Sequence, residues 1–108
     1  SGVNMNRYIT LNVKQGEQIS INLSADTNNT PIKIVSGAWD TTIIAGTSLT
    51  GNIYYPSYDT IMTIYGDVKE FDCSNNDSNI TGLDVSHNTA EIQTVVIDFI
   101  QIGFYNFA

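Results

Sequence analysis

The chain has 108 residues and a formal net charge of −7, with only Arg7, Lys14, Lys33 and Lys69 as cations against 11 acids. A phosphate backbone is held by a basic stripe, so nucleic acid is excluded as a partner, and the single cysteine, Cys73, excludes an internal disulfide. The length allows one domain, or one small domain with an appendage, able to bury a core of its own.

Tyr8 to Val13 alternates, with Ile9, Leu11 and Val13 on one face and Thr10 and Asn12 on the other. Gln18 to Leu23 repeats this with Ile19, Ile21 and Leu23. Period-two alternation on either side of Lys14-Gln15-Gly16-Glu17 predicts an antiparallel hairpin with one buried face. Pro31 fixes its own torsion and keeps Thr30 out of the helical region, so Asn28-Asn29-Thr30-Pro31 is the next break. Strands are then expected over Ile32–Val35, Thr42–Ala45, Asn52–Tyr55 and Thr60–Tyr65, separated by Gly37, Gly46, Gly51 and Pro56-Ser57. No window carries a helical period, so the fold class is all-β.

The order of these pieces, with Ile32 to Trp39 followed by Tyr58-Asp59-Thr60-Ile61-Met62-Thr63-Ile64-Tyr65, resembles a polycystic-kidney-disease-type β-sandwich. The Trp-Asp-Phe-Gly-Asp-Gly signature of those modules is reduced here to Trp39-Asp40. The resemblance implies a sandwich that runs without a linker into the segment beginning at Gly66.

From Val68 the frame Val68-x-x-Phe71-x-Cys73-x-x-Asn76 recurs as Ile80-x-x-Leu83-x-Val85-x-x-Asn88, and more weakly as Ile92-x-x-Val95-x-Ile97-x-x-Ile100. Apolar residues two apart point inward from a short strand, and an Asn three later bonds the exposed backbone of a bend. The segments Phe71-Asp72-Cys73-Ser74-Asn75-Asn76 and Ile80-Thr81-Gly82-Leu83-Asp84-Val85-Ser86-His87-Asn88-Thr89 resemble leucine-rich repeats of bacterial surface proteins. Those repeats read Leu-Asp-Cys-Ser-x-Asn and Leu-Thr-x-Leu-Asp-Val-Ser-x-Asn-Thr. The resemblance covers about the last third of the chain. It implies a secreted or cell-surface adhesion module that binds host or matrix proteins, its precursor carrying an export signal that Ser1 does not show.

The expected organisation is therefore a β-sandwich cap over residues 1–65 and a leucine-rich-repeat segment over residues 66–108. The repeat positions are Phe71, Cys73, Asn76, Leu83, Val85, Asn88, Val95 and Ile97. Phe71 and Leu83 are 12 apart, half of a turn of about 20 to 29 residues, whereas Phe71 to Val95 spans a whole one. Leu83–Val85 is therefore predicted on the opposite side of the coil, and Val95–Ile97 in parallel beside Phe71–Cys73, giving about one and a half turns. A coil exposes an apolar cross-section at each end, which the sandwich covers at the start. The apolar run Ile97 to Phe107 is expected to cap the other end, or to form a homodimer seam. The whole apolar tail Val95 to Phe107, broken by Asp98 and Gln101, is too short for a membrane helix of about 20 residues.

Chemistry is thinly represented. Asp72, Asn75, Asn76, Asp77, Asn79 and Asp84 are rich in oxygen, but their spacing lacks the central Gly and closing Glu of a calcium loop, so turn building is the expected role and no metal is assigned. His87 is the only histidine, on a solvated bend, and Cys73 sits at an inward position, so neither zinc nor nucleophilic catalysis is supported and no cofactor is implied. Trp39, Tyr54, Tyr55 and Tyr58 concentrate aromatic surface that could stack on a sugar. The expected function is a non-enzymatic binding module with a protein ligand, the alternative being a glycan held by Trp39 and these tyrosines.

Overall fold

The computed structural model describes residues 2–88, 94–96 and 104–106. Its strands are β1 (Tyr8–Val13), β2 (Gln18–Ala25), β3 (Thr30–Ser36), β4 (Trp39–Ala45), β5 (Ile53–Pro56), β6 (Ile61–Tyr65), β7 (Val68–Asp72), β8 (Ile80–Asp84), β9 (Thr94–Val96) and β10 (Phe104–Asn106). They form a six-stranded sheet in the order β10-β8-β1-β6-β3-β4 and a four-stranded sheet in the order β5-β2-β7-β9. The fold is all-β and sandwich-like. Among the described residues there is no helix, and so none long and apolar enough to cross a membrane.

The core follows from alternation. Ile9, Leu11, Ile32, Ile34, Met62, Ile64 and Leu83 of the first sheet, and Ile19, Ile21, Leu23 and Phe71 of the second, are all buried in one cluster. Each such side chain contributes about 1.5 to 3 kcal/mol of burial.

One expectation is overturned here: β1 and β2 are not a hairpin. β1 pairs antiparallel with β6 and β8, while β2 pairs antiparallel with β5 and β7, so the two lie in different sheets. Each has an apolar face of three branched residues, and placing the strands in opposite sheets lets these faces bury one another. The connection is held across the gap by Ser57, whose Oγ donates to the Lys14 carbonyl at 2.6 Å and accepts from the Glu17 amide at 2.8 Å. Among the described strands, consecutive ones lie in opposite sheets at every step except β3–β4.

The second half of the chain joins the same two sheets. β7 adds to β2 with Leu23 opposite Phe71, and β8 adds to β1 with Leu11 opposite Leu83. The step from β6 to β7 is made at Gly66, whose φ of +133° belongs to glycine and where a Cβ would lie 3.0 Å from the Pro31 carbonyl oxygen. The parallel register expected from the whole-turn spacing is present: Phe71 lies opposite Val95, and the Cys73 amide donates to the Val96 carbonyl at 2.9 Å. A second parallel ladder sets Leu83 opposite Tyr105 in the other sheet. Ile97, the remaining frame at Ile92 and Ile100, and most of the run expected to serve as cap or homodimer seam lie outside the described residues.

Candidate functional site

Two bends twelve residues apart are built with the same bonds. At the end of β7 the Asp72 carboxylate accepts from the Ser74 amide at 3.0 Å and its hydroxyl at 2.6 Å. Twelve residues later Asp84 does the same for Ser86, at 2.8 and 2.6 Å. Asp72 and Asp84 end strands of different sheets, so these two carboxylates do not face a common cation. Among the described residues no group of three His, Cys, Asp or Glu is placed to hold a metal. The Ser86 hydroxyl, and after it the Ser86 amide and the nearby His87, hold the Asp84 carboxyl below its ordinary range against the opposing effect of burial.

Asn76 and Asn88 lie three residues beyond Cys73 and Val85, and both are buried. The Asn76 amide accepts from Ser20 N at 2.6 Å and donates to Ser20 O at 2.8 Å and Cys73 O at 3.0 Å. A side-chain amide here makes the pair of bonds that a strand residue would make, prolonging the β2–β7 ladder after β7 has turned away. Asn88 donates to Val68 O at 3.1 Å and accepts from Arg7 Nε at 2.6 Å.

Arg7 is the feature that sequence reading missed. Its guanidinium, 13% exposed, also donates to Asp26 at 2.7 Å, Asp67 at 3.0 Å and Val68 O at 2.8 Å. It ties the start of β1 to the β2–β3 connection, the β6–β7 step and the bend after β8. The only available signal was that Arg7 is the one guanidinium in a chain with four cations, which names no partner.

Cys73 is buried, and burial, followed by the charge of Asp72, pushes its thiol up to about 12. His87 is exposed on its bend and stacks on Tyr8, ring centroids 4.5 Å apart and planes 16° from parallel. Tyr8 in turn meets Tyr65 at 5.6 Å, giving an aromatic row on the outer face of the larger sheet that was not foreseen.

The aromatic set proposed for ligand binding divides. Trp39 and Tyr58 come together, centroids 6.1 Å apart and tilted by 59°, and with Ala38 line an open, mostly apolar hollow of about 480 Å³. The Tyr58 amide donates to the buried Ser36 hydroxyl at 2.7 Å, which holds that loop against β3. Tyr54 is exposed but stands on β5 in the other sheet. Tyr55 points inward, 5% exposed, and burial raises its phenol; it belongs to the core and not to a ligand surface. Compared with known proteins, the chain matches no family model, no curated protein and no solved structure.

Proposed function

We propose that the chain is a non-enzymatic protein-binding module of the secreted or cell-surface kind, a β-sandwich cap carrying the opening turns of a leucine-rich-repeat coil. The observation that carries this reading is the pair of parallel ladders, Phe71 opposite Val95 and Leu83 opposite Tyr105, separated along the chain by 24 and 22 residues. Both separations fall within a turn of about 20 to 29 residues, and they occur on opposite sides, as a coil requires. The duplicated Asp-x-Ser and Asn bends support it, because they recur at the half-turn. A coil joined to a sandwich through shared sheets is a rigid scaffold, and rigid scaffolds present loops and sheet faces to macromolecular partners.

The non-enzymatic part rests on how the reactive groups are used. The Ser86 hydroxyl donates to Asp84, which leaves it unactivated by the neighbouring imidazole of His87. The Cys73 thiol is buried and stays protonated at neutral pH. The hollow between Trp39 and Tyr58 favours a second reading, a glycan stacked on these rings.

Surface plasmon resonance of the chain over immobilised extracellular-matrix proteins, beside a glycan array, tests both. Saturable binding to a protein that survives Trp39→Ala supports the first reading. Binding confined to glycans and abolished by Trp39→Ala transfers the function to the second, and silence on both surfaces removes the adhesion reading.

A further inference from the structure

Strand β4 is an edge of the six-stranded sheet, and its hydrogen-bonding phase can be read from one residue. Pro31, opposite Ile44, has no amide hydrogen, so that pair cannot exchange the two ladder bonds. The bonded pairs with β3 are then those of Trp39, Thr41, Ile43 and Ala45. Asp40, Thr42 and Ile44 direct their N–H and C=O groups to the open side. Among the described residues nothing takes these groups, and all three residues are exposed, Ile44 by 66%.

Open edges are ordinarily blunted by lysine, proline, a bulge or shortness. The other described edge at this end of the fold, β5, is four residues long and ends in Pro56. β4 has seven residues and an unbroken register with β3, contains neither lysine nor proline, and is rich in β-branched residues at Thr41-Thr42-Ile43-Ile44. At its first residue lies the Trp39–Tyr58 hollow, with the exposed Asp59 beside it and Asp40 on the strand itself. The chain as a whole carries −7, and one of its four cations, Arg7, is engaged with Asp26 and Asp67. A positively charged partner is attracted and oriented by this distribution.

Building on the protein-binding reading, we propose that β4 is a docking edge on which an extended, lysine- or arginine-bearing segment of a partner protein adds as a seventh strand. Main-chain bonds to Asp40, Thr42 and Ile44 provide the register. A cationic side chain near the Trp39 end lies over the two rings, where an aromatic face attracts a cation and Asp40 and Asp59 supply countercharge. A second copy of this chain fits less well. Two molecules of −7 repel, and antiparallel pairing centred on Thr42 sets each Asp40 against Ile44 of the other copy.

The probe is a fluorescent, end-blocked octapeptide of alternating lysine and valine, titrated into the whole protein by anisotropy and followed by amide hydrogen exchange. Saturable binding with slowed exchange at Asp40, Thr42 and Ile44 is expected. Thr42→Pro removes an outward amide while keeping the bonds to β3, and should weaken binding by about tenfold or more with unchanged circular dichroism. An analogue N-methylated at alternate residues should lose as much against the unaltered protein, which preserves the test should Thr42→Pro fail to fold. Equal binding of a glutamate–valine peptide, or binding indifferent to both Thr42→Pro and N-methylation, overturns the proposal. So does concentration-dependent self-association abolished by Thr42→Pro, which would make the occupant a second copy. A matrix protein that binds the unaltered chain and Thr42→Pro equally refutes the docking edge while leaving the protein-binding reading intact. Peptide docking at β4 with no protein ligand found upholds the edge and sinks the adhesion reading alone.

Discussion

Replacing Asn76 with alanine probes the bend at its most connected point. The side chain is 6% exposed and makes three bonds, to Ser20 N, Ser20 O and Cys73 O. Alanine leaves the Ser20 amide without an acceptor inside the sheet, a loss of about 1 to 3 kcal/mol, and two carbonyls with weakened pairing add to it, so about 2 to 4 kcal/mol is expected. Asn88→Ala should lose about 1 to 3 kcal/mol, because Val68 O still receives Arg7 Nη2 at 2.8 Å but Arg7 Nε, a charged donor, is left without an acceptor. His87→Ala, which removes an exposed stack on Tyr8, should stay within about 0.5 kcal/mol. Asn76→Asp should be worse than alanine at neutral pH, since a carboxylate would face two carbonyls, and should recover in acid as the carboxyl regains a donor. Urea unfolding of the four variants, with unchanged denaturant slopes, measures these differences. A loss at Asn76 no greater than that at His87 would refute the claim that the Asn76 amide stands in for a strand residue.

Gly66→Ala should destabilise by about 2 kcal/mol or more, because a side chain at φ +133° is strained and would press on the Pro31 carbonyl oxygen and Ile32; thermal unfolding checks it, and a neutral effect would contradict the tight β6–β7 step. The buried thiol of Cys73 should react with a disulfide reagent only as the protein unfolds, so labelling and circular dichroism should share one urea midpoint. Its raised value also means that stability is full below the unfolded thiol's value of about 8.5 and declines as pH rises from there towards about 12; fast native labelling would disprove the burial. Asp84 has the opposite sign: its folded carboxyl is held low, so its contribution is present above the unfolded value of about 3.9 and is lost as pH falls through the folded value. Ser86→Ala should move the Asp84 titration, followed by carbonyl NMR, up towards the ordinary range, and an unmoved titration would count against the Ser86 bonds as its cause.

What could be read from the residues was whatever depends on local period or fixed spacing. Alternation at Ile9, Leu11 and Val13 and at Ile32 and Ile34 names inward faces without reference to any partner, and the 24-residue step from Phe71 to Val95 implies a parallel neighbour. Inward placement of Cys73 follows from the same frame. The β1–β2 connection was not legible, because the same alternation and the same glycine turn serve a hairpin and a crossing between sheets. The choice is made by β6 and β8, which claim both sides of β1 from far along the chain. Ile53-Tyr54-Tyr55 is apolar at every position, so its inward member depends on a pairing with β2 that composition does not encode. Arg7 was equally silent, since a guanidinium is recruited by whichever carboxylates and carbonyls the finished fold brings near it.

The alternation of strands between sheets bears on how the molecule is made. Of the ladders described, only β3–β4 joins strands adjacent in the chain, around Gly37 with its φ of +62°. A chain emerging from its N-terminus cannot pair β1 until β6 has been synthesised, nor β2 until β5 has, so two strands with fully apolar inner faces wait unpaired. Loop-closure entropy must be met before those contacts form, which places folding on the slow side, in milliseconds to seconds, for a chain of this size. The β3–β4 hairpin is then the natural nucleus, β7 and β8 add to β2 and β1 later, and β9 and β10 can add only after them. Slowing synthesis or adding a holdase chaperone should accordingly raise the soluble yield more than lowering the temperature of the finished protein.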